Sequence, residues 1–229
     1  MIFEDRRDAG RRLARRLAGL AWLSGDQVVV LGLPRGGVVV ASEVALALGA
    51  PLDVILVRKL GVPFQPELAM GAIGEGGAKV VDSGVVRAVG VSEREIEAVE
   101  ERERRELERR AARFRAGEPP LPLEGRTAVV VDDGVATGST ARAACAVARA
   151  RGAGRVVLAV PVASPGWEAR IGSAADECVA LATPEPFFAI GEFYADFSQT
   201  TDDEVVVLLR TATRSAEIGR AAEPPGSIA

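Results

Sequence analysis

Histidine is absent from the 229-residue chain. That absence removes serine-type triads, histidine-dependent zinc sites and imidazole acid–base steps together. Whatever chemistry the chain performs falls to carboxylates, Arg, Lys, Tyr, backbone dipoles or a metal brought in by a substrate. Cysteine is nearly absent too: Cys145 and Cys178 are the two, and neither sits in a metal-like or redox-like pair, which suits a reducing cytoplasm. No apolar run approaches the roughly 20 residues that span a bilayer. The amino terminus, Met1-Ile2-Phe3 followed at once by Glu4, Asp5 and Arg6, has no signal-like pattern. A cytoplasmic location without a membrane partner is therefore expected. The formal charge of −4 gives no general attraction to nucleic acid, which is not an expected partner without a local basic patch. Lysine is scarce, with only Lys59 and Lys79, so a lysine at a strand end stands out from an Arg-dominated background.

What is present reads as globular: 48% of residues are apolar and 26% charged, and the length suits one core with a small appended lobe. The chain is organised around Ala128-Val129-Val130-Val131-Asp132-Asp133-Gly134-Val135-Ala136-Thr137-Gly138-Ser139-Thr140. The uninterrupted apolar run to Val131 is the pattern of a strand buried on both faces of a parallel sheet. The two acids emerge at its C-terminal edge, where open α/β sheets place their ligands. Gly134 and Gly138 allow a tight turn, and Thr137, Ser139 and Thr140 add hydroxyls where the next helix presents unpaired N–H groups and the positive end of its dipole. Two carboxylates beside a phosphate seat would repel a bare polyphosphate. They suit a ligand that also carries neutral hydroxyls, such as a ribose 5-phosphate. A Walker A loop is excluded, since no Lys precedes Ser139 or Thr140.

This stretch resembles the signature of the type I phosphoribosyltransferases, which bind 5-phosphoribosyl 1-diphosphate (PRPP). The resemblance implies that Asp132 and Asp133 hold the ribose 2- and 3-hydroxyls. It implies that Val135, Ala136, Thr137, Gly138, Ser139 and Thr140 wrap the 5-phosphate. It also implies a Mg²⁺ cofactor held mainly by PRPP and touched by Asp132 and Asp133 through water. Gln27 to Leu33 reads as the first buried strand, followed by Pro34-Arg35-Gly36-Gly37 and a helix over Val38 to Leu48. The corresponding family loop binds pyrophosphate, so Arg35, Gly36 and Gly37 are expected there, with Arg35 supplying a guanidinium suited to phosphate oxygens. Leu52 to Val57 reads as the next strand, ending in Arg58-Lys59-Leu60-Gly61. Basic residues in this place contact pyrophosphate or the leaving oxygen in related enzymes. Arg58 and Lys59 accordingly join Asp132 and Asp133 as candidate catalytic residues, with Lys59 also on the pyrophosphate. Val62 to Glu67 reads as a mobile cover.

Elsewhere, residues 3 to 20 form an amphipathic helix with Ala9, Leu13, Leu17 and Leu20 on one face. Ala69 to Ile73 and Ala78 to Asp82 flank a glycine-rich turn as a hairpin. Ser92 and Glu95 make a capping box that opens a long charged helix to about Arg115, with Ile96, Val99, Leu107, Ala111 and Phe114 as its apolar stripe. Arg155 to Val160 and Glu177 to Ala182 are further strands. The alternation predicts an α/β fold: a doubly wound, mostly parallel sheet of phosphoribosyltransferase type with a small carboxy-terminal hood. One domain is expected over 1–212. Its core covers about 25–183 and its hood about 184–212, with a contribution from the amino-terminal helix; a flexible tail follows over 213–229.

The segment from Thr183 to Phe197 holds four of the seven Phe and the sole Tyr. Phe187, Phe188, Phe193 and Tyr194 are either a satellite hydrophobic cluster or a surface on which a planar acceptor stacks. The function the resemblance implies is transfer of ribose 5-phosphate from PRPP to an acceptor, a nitrogenous base, with release of pyrophosphate, by a homodimer. The alternatives are a non-catalytic regulator that senses PRPP or nucleotides and binds nucleic acid, and a sugar-phosphate hydrolase using water. Nothing in the hood identifies a particular base.

Overall fold

The computed structural model describes residues 3–20, 23 and 27–222, with side chains described as far as 212. In chain order the elements are α1 (Arg6–Ala18), β1 (Val28–Gly32), α2 (Gly36–Leu48), β2 (Leu52–Val54), β3 (Val57–Val62), β4 (Gln65–Gly74), β5 (Lys79–Val81), α3 (Ser83–Val89), α4 (Glu93–Arg115), β6 (Thr127–Val131), α5 (Ser139–Ala150), β7 (Arg155–Val162), α6 (Trp167–Ile171), β8 (Glu177–Ala182) and α7 (Asp202–Ala222).

A five-stranded sheet runs in the order β2-β1-β6-β7-β8, and every neighbouring pair is parallel. Its strands are β-branched runs because both faces are covered. Val28 and Val30 of β1 pack into one core with Leu13, Leu17, Val44, Val99 and Val205, from α1, α2, α4 and α7. Val29 and Leu31 point the other way and pack with Val147, Trp167 and Ile171 of α5 and α6. The predicted doubly wound sheet is the one found.

The helices are set by local signals. Asp5 caps α1 by accepting the Asp8 N–H, and its buried face is Ala9, Gly10, Leu13, Ala14 and Leu17. Gly10 permits close packing on α2, where a Cβ would stand 2.8 Å from Val40 O. The capping box on α4 is present in both directions, and Ile96, Val99, Leu107 and Phe114 form its buried stripe. At the end of α4, Arg115 is buried and bonds Asp53 Oδ1 at 2.7 Å, Val54 O at 2.8 Å and Glu75, tying the helix to the end of β2.

The structure departs from the sequence reading at residues 52–67. The strand starting at Leu52 stops at Val54, and a new strand, β3, begins at Val57 in a separate antiparallel sheet ordered β3-β4-β5. Val62 pairs with Gln65, so 62–67 is a tight hairpin turning at Pro63-Phe64 rather than a loose cover. The physical reason is alternation: in β3, Leu60 and Val62 are buried while Lys59 is exposed, the period-two pattern of a half-covered strand. The helix α3 has no counterpart in the sequence reading; its bracket is Asp82, which caps the Gly84 and Val85 amides, and left-handed Gly90 at its end. Finally, α7 runs to Ala222, into the tail expected from residue 213; residues 223–229 of that tail lie outside the described residues.

Candidate active site

The β1–β6 register places Gly32 beside Val131, so the segments leaving both strands run together at the C-terminal edge. Leu33 N–H donates to Val131 O at 2.8 Å, and the Pro34–Arg35 peptide that follows is cis. The glycines after it abut the acids. A Cβ on Gly37 would stand 2.8 Å from both Asp132 Cα and Val131 O, and one on Gly36 would stand 2.0 Å from Asp133 Oδ2. Only glycine lets the chain approach this closely. Asp132, Asp133, Gly36 and Gly37 are thus brought together, as the sequence pattern requires.

Both carboxyls have partners. Asp132 Oδ1 accepts the Asp133 N–H at 2.9 Å. Asp133 Oδ2 accepts Arg6 Nε at 2.8 Å, in a pair whose side chains are 11% and 15% exposed. Asp132 Oδ2 and Asp133 Oδ1 accept no amide or guanidinium hydrogen bond from the described residues, and the two carboxyls lie within hydrogen-bonding reach of each other. Burial, followed by the neighbouring Asp133 charge, raises the Asp132 carboxyl well above the usual carboxylate range.

The loop expected to hold a phosphate leaves this pair through Val135, whose amide donates to Val162 O at 2.9 Å and is therefore used by the fold. The exposed turn starts at Ala136. Gly138, at φ 83°, caps α5, and the first helical bond runs from Arg142 N–H to Gly138 O at 2.8 Å. The amides of Ser139 and Thr140 precede that bond and have no helical acceptor. Thr137 Oγ1 lies 3.3 Å from Ser139 Oγ. The turn is held from behind by Ala136 O, which accepts from Ser164 Oγ at 2.6 Å and from the Arg170 guanidinium at 3.1 Å.

An open cleft of about 1380 Å³ borders the turn, lined among others by Pro34, Arg58, Lys59, Ser139, Thr140 and Arg142. Arg58 sits on β3 with its guanidinium bonded to Glu103 Oε2 at 2.8 and 2.6 Å. Burial acts to raise the Glu103 carboxyl, but its bonds to Arg58 and Arg102 outweigh this and hold it below its ordinary range. Lys59 Nζ reaches only the neighbouring strand, 3.3 Å from Glu67 O and 3.5 Å from the exposed Glu67 carboxylate. Arg35 turns from the acids toward the start of α7, 3.7 Å from Asp202.

Of the hood aromatics, Tyr194 is buried, with its hydroxyl donating to Asp133 O at 2.6 Å. Phe187 and Phe193 stack on each other at 5.4 Å, while Phe188 is exposed. The hood is stapled to the beginning of the chain: Phe3 N–H donates to Phe193 O, Ala195 N–H donates to Phe3 O, and the Phe3 and Tyr194 rings lie 5.3 Å apart. Ile190 closes over Gly134, where a Cβ would lie 2.6 Å from its side chain. Sequence reasoning missed Arg6, Ser164, Arg170 and Glu103. Ser164, at the end of an apolar strand, was the only one of these with a local signal.

A strand-edge acid pair, a glycine loop against it and a hydroxyl-rich turn opening a helix stand together on one edge of a doubly wound sheet. The chain belongs to the phosphoribosyl transferase domain family, whose model matches residues 4–197. Two curated proteins from strains of Mycobacterium tuberculosis, CDC 1551 / Oshkosh and H37Rv, are provisionally named phosphoribosyl transferases. Each is 59% identical over 228 residues, covering 98% of this chain and 51% of the relative. The chain thus spans about half the length of the curated relatives it matches. The crystal structure of TT1426 from Thermus thermophilus is similar at TM-score 0.83 and 48% identity, over 91% of this chain and 98% of that one. Among the described residues no helix is long and apolar enough to cross a membrane.

Proposed function

We propose that the chain transfers a 5-phosphoribosyl group from PRPP to an acceptor nitrogen, a nitrogenous base being the expected class, and releases pyrophosphate. The observation that carries this reading is the contact between Gly36-Gly37 and Asp132-Asp133, with the amide-rich turn into α5 on the same sheet edge. A monophosphate needs only the turn, and a ribose needs only the acids. The glycine loop pressed against the acids opens α2 on the same sheet edge, and the uncapped first amides of that helix offer a seat for a second anion.

In the reaction the acceptor lone pair forms the new bond to ribose C1. The C1–O bond to pyrophosphate breaks, and its electron pair leaves on that oxygen. The proton released from the acceptor nitrogen passes to solvent. Asp132 and Asp133 would orient the diol and favour positive charge developing on the ribose. The amides of Ser139 and Thr140 would hold the 5-phosphate. Lys59, at the cleft wall, and the Gly36-Gly37 loop would receive the departing pyrophosphate.

Neutralising that leaving group is the chemistry Mg²⁺ on the donor's diphosphate supplies. The residues fit a metal arriving in that way. Asp132 and Asp133 would meet such an ion through water on the same oxygens that face the diol, since each carboxylate oxygen carries two lone pairs. The reading extends to a cytoplasmic homodimer, and light scattering tests the dimer.

The test of the donor is calorimetry with PRPP and Mg²⁺. Binding by the unaltered protein and its loss in Asp132→Asn/Asp133→Asn, with the thermal transition retained, supports the reading. Undiminished PRPP binding by that variant sinks it.

A further inference from the structure

We infer that Arg6 is a positioning residue that fixes the rotation of the Asp133 carboxylate offered to the ribose; the inference rests on the donor reading above. Arg6 is held at three points. Its Nε donates to Asp133 Oδ2 at 2.8 Å, a terminal nitrogen donates to Ser198 O at 2.8 Å, and its guanidinium carbon lies 3.9 Å from the centre of the Phe197 ring. A side chain that is 11% exposed and fixed in this way is part of the site's frame. It is not a surface cation that happens to lie nearby.

The consequence follows from counting oxygens. Asp133 Oδ2 is covered by Arg6 on one side and by the backbone of Gly36 on another, where even a Cβ would approach to 2.0 Å. Asp132 Oδ1 is taken by the Asp133 amide. Each acid therefore gives one oxygen to a donor of the frame, and the other two, Asp132 Oδ2 and Asp133 Oδ1, meet no protein group but the neighbouring carboxyl among the described residues. A vicinal diol has two hydroxyls, each needing one acceptor, and the protein leaves two acceptors on adjacent residues. Without Arg6, the Asp133 carboxylate is free to turn about its last torsion and away from the carboxyl of Asp132. The same guanidinium binds the hood through Ser198 and Phe197, so one side chain sets both the seat of the hood and the aim of the acid.

The experiment compares unaltered protein with Arg6→Gln and Arg6→Lys, using PRPP with Mg²⁺ and donors lacking one ribose hydroxyl. A hydrogen bond to a charged acceptor corresponds to discrimination of about 10- to 100-fold against the deoxy donor, and this is expected of the unaltered protein. Arg6→Gln is expected to lower PRPP affinity by about 10- to 100-fold, as when a ligating side chain loses the partner that orients it, and to bring discrimination at one hydroxyl close to unity. Arg6→Lys restores the charge and the thermal transition but not the discrimination, since an ammonium lacks the planar fork that joins Asp133 to Ser198. Guanidinium ion added to Arg6→Ala recovers part of the affinity.

Unchanged PRPP affinity in Arg6→Gln overturns the positioning role. So does a loss of affinity that is equal for all donors, the pattern of a variant that is merely less folded. Failure of the unaltered protein to bind PRPP overturns the donor reading and the role with it, and that control separates the two failures.

Discussion

Replacing Gly36 with alanine puts a methyl carbon 2.0 Å from Asp133 Oδ2 and 2.6 Å from Arg6 Nε. The backbone itself permits the change, since Gly36 begins α2 outside the left-handed region, and helix propensity alone would favour Ala by up to about 1 kcal/mol. The clash is with the tip of a short side chain, so the carboxylate swings aside and the 2.8 Å bond to Arg6 breaks. Breaking a fully buried pair costs about 3–5 kcal/mol, and an exposed pair is worth about 0–1 kcal/mol. At 11% and 15% exposure this pair lies between those limits, and a cost of about 2 kcal/mol is reasonable. After the propensity gain, roughly 1–2 kcal/mol of net destabilisation remains, which lowers Tm by about 2–8 °C for a chain of this size. The assay is thermal unfolding followed by circular dichroism, with PRPP calorimetry in parallel. Asp133→Ala removes the atom that is struck, so adding Gly36→Ala to it should cost much less than Gly36→Ala alone; coupling of about 1 kcal/mol is expected. A Gly36→Ala protein with unchanged Tm and PRPP affinity, or a strictly additive double variant, would refute the close approach.

Other outcomes test other parts of the structure. Ser92→Ala removes the cap of α4 and should cost about 0.5–2 kcal/mol in urea unfolding, with the slope unchanged. Burial pushes the Cys145 thiol up to about 12 and the Cys178 thiol up to about 11. At pH 8 no more than about one molecule in a thousand carries either thiolate, so alkylation by iodoacetamide should be far slower than for a free thiol; rapid labelling of native protein would contradict that burial. Lys59→Ala should weaken pyrophosphate binding by about tenfold while leaving Tm within about 1 °C, because among the described residues the side chain meets only Glu67, at its carbonyl and its exposed carboxylate.

The parts legible in the sequence were those whose chemistry is local. The Val-rich run before Asp132 forms a buried strand because β-branched side chains fill both faces, and acids, glycines and hydroxyls at fixed offsets then fall at one sheet edge. Pairings across the fold were not legible. Arg6 meets Asp133 across 127 positions, and Arg58 meets Glu103 across 45. With 28 basic and 32 acidic residues, nothing local selects one partner over another. That is why Arg58 read as a free cation at a strand end, yet stands bonded to α4. The β3 strand was hidden for a related reason: two buried residues, Ile55 and Leu56, join it to β2, so two strands in different sheets read as one apolar run.

The contacts of Arg6 also bear on the order in which a ribosome makes the protein. Its bond to Ser198 closes a span of 192 residues, and Asp132, Asp133 and the turn into α5 lie within that span. At about 5–20 residues per second, the five sheet strands are synthesised seconds before the hood segment leaves the exit tunnel. A nascent chain arrested when β8 has just cleared the exit tunnel should therefore hold a folded sheet with the acid pair in place and Arg6 not yet anchored to the hood. The frame around Asp133 is then completed last, in one closing step that joins an early residue to a late one.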